Sequence, residues 1–381
     1  MRLVTNDRGA QAFPGEAATR EPLALHQRLP GYAPTPLHDV PALAAELGVA
    51  RVWLKDESER CGLPAFKIMG AAWAVHEALA AHRGAPFPAS ATLADLGRLL
   101  EGDDLTLVAA TDGNHGRAVA RMAALLGLRS HILVPRDMVA ARIDAIASEG
   151  AEVTVVDGSY DEAVAASAQL ADDQTIVVSD TAWDGYEDIP RAVIAGYSTI
   201  LWEVDDQLAA AGAAPPDLVL VPVGVGAFAA AVATHAAHAW AAASPRLVTV
   251  EPDSANCLQA SLEAGELVTL EGEQTSIMAG LNCAVPSPLA WPLLAARVDA
   301  AVSIDDDVAR EGMRRLAALG IVGGECAGGA LGAAAELLAD PAARSMAGIP
   351  EDASVLVFLT EGATDPAGYL EIVGRPADAV A

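Results

Sequence analysis

Lysine is almost missing from this chain. Of its 381 residues only Lys55 and Lys67 are lysines, and every other basic side chain apart from histidine is arginine. A sequence that uses arginine wherever a cation or a solvated stem suffices reserves lysine for what guanidinium cannot do. An ammonium shielded from water can lose its proton and form a Schiff base, whereas guanidinium stays protonated. Lys67, in Arg60-Cys61-Gly62-Leu63-Pro64-Ala65-Phe66-Lys67-Ile68-Met69-Gly70-Ala71, is therefore a candidate for imine chemistry, with a chance lysine on a helix surface as the plain alternative. Lys55, in Val52-Trp53-Leu54-Lys55-Asp56-Glu57, reads as a strand running into acids, and an ion pair is expected of it.

Other scarcities bound the answer. Aromatics make up 4% of the chain against 52% hydrophobic residues, so the core has to be built from Ala, Val and Leu. Positive charge is outnumbered to a net of -28, which excludes nucleic acid and anionic membrane as partners because both would repel the surface. The four cysteines, Cys61, Cys257, Cys283 and Cys326, show neither CxxC spacing nor paired histidines, so no metal site is expected and free thiols are. The start, Met1-Arg2-Leu3-Val4-Thr5-Asn6-Asp7, leads into no apolar segment, and later Ala-rich runs are broken by His, Trp and charges. No signal peptide and no membrane span are expected, and a cytoplasmic location is.

What is present is a regular alternation. After a short helix at 40–47, a strand at 51–54 and a helix opened by Lys67, residues 84–102 form a Pro- and Ala-rich insertion without a clear pattern. Beyond it, short β-branched runs alternate with Ala-rich amphipathic segments, the mark of βαβ units around parallel sheets. Strands are expected at 105–109, 130–134, 152–156 and 175–178, then, after a long helix near 189–211, at 218–223, 247–250, 300–304 and 355–359. The first four make one compact subdomain. The others make a second sheet, to which the segment carrying Lys67 belongs.

Four strand ends carry polar motifs. Val219-Leu220-Val221-Pro222-Val223-Gly224-Val225-Gly226-Ala227-Phe228 runs from strand through a glycine turn into a helix, a cradle in which backbone N–H groups meet a phosphate. The plain alternative is a tight turn with no ligand. A rival reading takes Gly224-x-Gly226-x-x-Ala229 as a dinucleotide fingerprint, with Glu251 as the ribose-binding acid of an NAD enzyme. Ala110-Thr111-Asp112-Gly113-Asn114-His115-Gly116-Arg117 places Asn114 and helix-start N–H groups at a crevice; Asp112 also fits a simple helix cap and His115 a structural histidine. Ser179-Asp180-Thr181-Ala182-Trp183-Asp184-Gly185-Tyr186 brings a second carboxylate to the same edge, suited to proton transfer. Thr360-Glu361-Gly362-Ala363-Thr364-Asp365-Pro366 closes the last strand with hydroxyls and a turn.

Phe66-Lys67, Asp112-Gly113-Asn114-His115-Gly116 and the Gly224–Phe228 turn, in this order, resemble the pyridoxal-phosphate enzymes of fold type II, the group of serine and threonine dehydratases, cysteine synthases and tryptophan synthase β-subunits. Within that group the chain is most similar to the diaminopropionate ammonia-lyases, through Lys55-Asp56-Glu57-Ser58, Gly62–Lys67, Thr111–Arg117, Asp180–Tyr186, Ile189-Pro190, Glu251-Pro252-Asp253, Ile277–Leu281 and Thr360-Glu361-Gly362. The resemblance implies two open α/β domains with pyridoxal 5'-phosphate in the cleft between them: a large domain of residues 1–77 and 184–381, and a small one, 78–183, inserted in it. It implies that Lys67 forms the Schiff base and Phe66 packs on the cofactor ring. Asn114 would bind the phenolic oxygen, Gly224, Val225, Gly226 and Ala227 the phosphate, and Thr360 would lie near the pyridine nitrogen.

Asp112 and Asp180 match the acids of the lyases, whose reaction converts 2,3-diaminopropionate to pyruvate and ammonia. The two enantiomers of a substrate present their Cα–H bonds to opposite faces of the cofactor, and the resemblance gives the L-isomer to Lys67 and the D-isomer to Asp112. It further implies a homodimer, and Cys257 and Cys283 match positions flanking the substrate. Two departures stand out. Ala71 replaces a second glycine, a change expected on the helix surface, and Cys326-Ala327 replaces a Ser-Gly pair after Glu325. A dehydratase of β-hydroxy amino acids and a non-catalytic pyridoxal-phosphate sensor remain as alternatives; Asp112, where the dehydratases typically have Ser, speaks for a β-ammonium substrate.

Overall fold

The computed structural model describes residues 1–7, 12–88, 91–111 and 113–380. Among the described residues eleven strands form two sheets. The strands are β1 (Arg2–Thr5), β2 (Leu37–Asp39), β3 (Arg51–Asp56), β4 (Thr106–Ala110), β5 (Arg129–Pro135), β6 (Glu152–Val156), β7 (Thr175–Val177), β8 (Leu218–Pro222), β9 (Arg246–Pro252), β10 (Ala300–Ile304) and β11 (Ser354–Leu359). The larger sheet runs β1-β10-β9-β8-β11-β3-β2, and the smaller β6-β5-β4-β7. Within the larger sheet the five central strands are parallel, with antiparallel β1 and β2 at the edges. All pairs of the smaller sheet are parallel. Strands covered on both faces need no polar alternation, and β8 (LVLVP) and β10 (AAVSI) are accordingly buried along their whole lengths.

The strand orders decide where a ligand fits. In the larger sheet the chain proceeds outward from β8 through β9 to β10, while β11 lies on the other side of β8. In the smaller sheet it proceeds from β4 through β5 to β6, and β7 returns to the other side of β4. Each sheet thus has a switch point, where the loops leaving the carboxyl ends of neighbouring strands diverge and open a crevice. The loops there are 223–226 and 360–365 in the larger sheet, and in the smaller 178–187 and the segment that leaves β4 at Thr111.

The expected strands all form, with ends shifted by one or two residues. Sequence patterning does not reveal the two edge strands, β1 and β2, which are short and only partly buried. The insertion at 84–102 contains a helix, Leu93–Leu99, opened by a capping box in which Thr92 accepts from Asp95 N–H. The long helix runs Asp188–Ala210.

Lys67 stands at the N-cap of the helix Ile68–Arg83, which lies against Asp188–Ala210 at backbone contact distance. A Cβ on Gly70 would come within 2.6 Å of the Tyr197 ring, and one on Gly196 within 2.4 Å of the Met69 carbonyl oxygen. Ala71 is fully buried in this packing. That corrects the expectation of a surface position: the face of the helix just after Lys67 is core, and the Ala71 methyl fills part of it.

Candidate active site

The helix Ile68–Arg83 aims its N-cap residue into the crevice between the sheets. Lys67 Nζ donates to Asp180 Oδ2 at 2.7 Å, so a loop from the larger sheet's side meets one leaving the smaller sheet after β7. Asp180 also accepts from the Tyr160 hydroxyl at 3.2 Å. Burial works against its charge, but the Lys67 ammonium, His115 and the two hydrogen bonds outweigh it and hold the carboxyl well below the usual carboxylate range. His115 is buried, with Nε2 2.8 Å from the Val178 carbonyl, which fits the structural role.

Asn114 is the first residue of the helix Asn114–Leu126. Thr111 Oγ1 accepts from the N–H groups of both Gly113 and Gly116 at 2.9 Å, so a threonine hydroxyl caps this helix start. Asp112 lies outside the described residues. Asn114 Nδ2 donates to Glu361 Oε2 at 2.6 Å.

Beyond β8, Gly226 caps the helix Ala227–His238 at φ 93°, a backbone region that favours glycine. A Cβ on Gly226 would meet Leu294 at 2.8 Å, and one on Gly224 would meet the Gly280 carbonyl oxygen at 2.8 Å and the Cys283 sulfur at 3.2 Å. The first N–H groups of a helix have no intrahelical acceptor, and here they converge on a turn whose two glycines leave no room for side chains. A phosphate fits such a site.

One pocket, enclosing a space of about 640 Å³ with its mouth included, gathers Phe66, Lys67, Asn114, Asp180, Gly224, Val225, Gly226, Ala227 and Thr360. Every expected site residue among the described ones therefore lines the same cleft. Phe66 packs beside Tyr197 and Phe228, with ring centroids 4.9 and 4.7 Å away, and its N–H donates to the Thr360 carbonyl at 3.3 Å. An amine, a phosphate cradle and an aromatic wall in one pocket are the donor set that pyridoxal phosphate requires.

Tyr160 and Glu361 line the wall but had no role in the sequence reading, whereas Cys326, from the Cys326-Ala327 departure in a stretch that the resemblance turns toward the cofactor, lines it too. Tyr160 opens the helix Tyr160–Ala168 behind a Ser159–Glu162 capping box, a local signal that marks a helix start but not its place in the cleft. Glu361 carries no signal beyond its neighbour Thr360. Cys326 contributes its N–H, which donates to Glu361 Oε1 at 3.3 Å. All four cysteines are buried free thiols. Burial and the Glu251 carboxylate push Cys257 up, and burial and Glu361 push up Cys326, so neither is a ready nucleophile.

Glu251, the acid of the dinucleotide reading, is fully buried and accepts from the N–H groups of Leu258 and Gln259 at 2.7 and 2.8 Å. It caps the next helix and does not line the pocket. No group of His, Cys, Asp and Glu among the described residues could hold a metal, and no helix among them is long and apolar enough to cross a membrane.

The model of the family described as pyridoxal-phosphate dependent enzyme matches residues 28–361. The chain is 37% identical to diaminopropionate ammonia-lyase of Escherichia coli strain K12 over 366 residues, covering 94% of this chain and 91% of that one. Among solved structures it is similar to the Escherichia coli diaminopropionate ammonia-lyase in complex with D-serine, with a TM-score of 0.91 at 34% identity, covering 100% of this chain and 98% of that one. The same Escherichia coli enzyme in complex with an aminoacrylate-PLP azomethine reaction intermediate matches with a TM-score of 0.88 at 34% identity, over 98% and 96% of the two chains.

Proposed function

The chain belongs to the pyridoxal-phosphate dependent enzymes and, among them, to the family of the diaminopropionate ammonia-lyases; from that premise we propose that it eliminates ammonia from 2,3-diaminopropionate, giving pyruvate and a second ammonia on hydrolysis. The observation that carries the proposal is the Lys67–Asp180 contact at 2.7 Å, which joins the cofactor amine to a carboxylate from the opposite wall of the cleft. When bound, pyridoxal phosphate supplies an aldehyde that condenses with an amine and a ring that withdraws electrons from the amino acid's Cα. The protein's own groups do the rest.

The turn Gly224–Ala227 would hold the phosphate through backbone N–H groups, Asn114 would bind the phenolic oxygen, and Thr360 would lie near the pyridine nitrogen. Phe66 bounds the ring. Lys67 Nζ would take the Cα proton of the L-isomer and Asp112 that of the D-isomer. Asp180 keeps the Lys67 ammonium in place before the cofactor binds, and its negative charge suits a substrate with a second ammonium group. Tyr160 orients Asp180. The unit of residues 78–183 closes over the cleft and keeps water from the reacting carbon. We further infer a cytoplasmic homodimer, from the acidic surface and the family resemblance.

The test uses the purified protein with added pyridoxal phosphate: visible absorbance of the lysine-bound cofactor, then 2-oxo acid release, which is pyruvate from D- and L-2,3-diaminopropionate and from serine, and 2-oxobutanoate from threonine. Pyruvate from both diaminopropionate isomers in preference to the β-hydroxy amino acids is the expected result. Turnover of serine or threonine with none of the diamino acid would overturn it in favour of a dehydratase.

A further inference from the structure

The wall of the cleft that carries Lys67 also holds a carboxylate to which the reaction above gives no task. Glu361 is only 2% exposed, yet it lines the pocket and touches three other segments that build it. Its main chain bridges antiparallel to Ala65, in the loop that leads to Lys67. Next to it, Gly362 N–H donates to the Pro64 carbonyl at 3.0 Å, and the Glu361 carbonyl accepts from Gly324 N–H at 2.9 Å, just before the helix Glu325–Ala339. The fit is close: a Cβ on Gly324 would stand 2.3 Å from the Gly362 carbonyl oxygen. Its side chain then reaches across the cleft. Oε2 accepts from Asn114 Nδ2 at 2.6 Å and Oε1 from Cys326 N–H at 3.3 Å.

An ionised carboxylate only accepts hydrogen bonds. The end of the Asn114 carboxamide that faces Glu361 must therefore be its NH2 group, which fixes an orientation that an asparagine alone would leave free. The contact also crosses from the larger sheet's wall to the smaller sheet's wall, as Lys67–Asp180 does, so the cleft is pinned at two points. A second buried carboxyl, Glu325, stands close by. Burial and the Glu361 carboxylate push the Glu325 carboxyl up, against the pull of Arg142.

We propose that Glu361 is a positioning residue for the cofactor: by taking one amide hydrogen of Asn114 it sets the angle at which the carboxamide meets the cofactor's phenolic oxygen. The inference rests on the reading of Asn114 given above and goes one residue beyond it. Glu361 itself reaches the cofactor only through Asn114.

A double-mutant cycle on the full, cofactor-loaded chain tests it, with the rate of cofactor release after dilution and the visible absorbance as readouts and thermal unfolding as the folding control. Glu361→Gln offers one acceptor oxygen to two donors and should speed cofactor release about 10- to 100-fold, the worth of a hydrogen bond to a charged group. Asn114→Ala should do the same. The double variant should lose cofactor no faster than Asn114→Ala alone, because both remove one interaction. Additive losses, or unchanged release in Glu361→Gln, would overturn the positioning role. Glu361→Asp, which withdraws the carboxylate by one methylene, gives the same comparison should the glutamine variant not fold. Normal release in Asn114→Ala would overturn the reading of Asn114 instead, while lysine-dependent absorbance would still report the proposed function.

Discussion

The two lysines sit in near-identical pairs that do opposite things. Lys55 Nζ lies 2.8 Å from Glu203 Oε2, and Lys67 Nζ 2.7 Å from Asp180 Oδ2. Lys55 is fully enclosed and also donates to the Thr35 carbonyl at 2.8 Å and to Gln207 at 3.1 Å. Around it Arg60 binds both Glu57 and Glu203, and neither Arg60 nor Glu57 has any exposed surface. Burial pulls the Lys55 ammonium below its ordinary range, but Glu57 and Glu203 act to keep it charged. Lys67, by contrast, stands in the wall of the cleft with 16% of its side chain open. A buried cation satisfied on every side is a fixture. One that faces a cavity can exchange its carboxylate for a substrate.

The sharpest break of this comparison is Lys67→Arg. Guanidinium fits the charge but makes no imine, so lysine-bound absorbance and pyruvate release should both vanish; retained activity would end the assignment of Lys67. Next come the carboxylates of the cleft. Asp112→Asn should lower kcat about 100- to 10,000-fold on D-2,3-diaminopropionate, as loss of a positioned general base does, and less on the L-isomer. Asp180→Asn, which removes the charge facing Lys67 and the substrate's second ammonium group, should lower kcat/KM about 10- to 100-fold on both isomers, the worth of a hydrogen bond to a charged group. Side-by-side kinetics on the two enantiomers check both variants, and an equal loss in Asp112→Asn would remove its stereochemical role.

Glu203→Ala moves the test to the enclosed cluster. It leaves buried Lys55 without its carboxylate and Arg60 with Glu57 alone, and should cost about 3–5 kcal/mol of stability, read as a fall in the denaturant midpoint, with kcat of the folded fraction little changed. Lys55→Arg is gentler for chemistry, but it places a larger side chain where none is exposed. About 1–3 kcal/mol of overpacking is expected with cofactor binding intact; lost imine absorbance would instead place Lys55 in the chemistry.

The last effect is a slope. Glu251 is buried like Glu203 but has no cation beside it. Burial pushes it from an ordinary 4.5 up to about 8, despite two backbone N–H donors, whereas Arg60 and Lys55 overcome burial at Glu203 and hold it low. Across pH 4.5 to 8 the folded protein therefore keeps a proton at Glu251 that the unfolded chain gives up, so stability falls as pH rises through that window. Glu251→Gln should flatten this part of the Tm–pH curve. Parallel curves for the two proteins would show that Glu251 ionises freely.

Much of the site is legible because its signals are local. A glycine turn between an apolar strand and a helix, or Thr-Asp-Gly-Asn-His after a strand, announces a crevice-edge loop from a few residues. The scarcity of lysine singles out Lys67 without any structure. Tyr160 and Glu361 escape such reading, because a capping box and a strand end occur wherever helices and strands do. The surface position expected of Ala71 failed for a related reason: every side of that helix start is covered, so periodicity could not tell inside from outside.

The chain by itself determined the order of strands and helices, the two glycines of the phosphate turn and the residue able to form an imine, since these follow from backbone preference, side-chain chemistry and short-range periodicity. Tertiary structure alone decided which carboxylate each lysine meets. Lys55 finds Glu203 rather than the acids beside it in sequence, and Lys67 finds Asp180 on the other sheet. The strength of an ion pair depends on burial and on what else satisfies its partners. Those are properties of strand order and packing, which bring together residues that no local pattern connects.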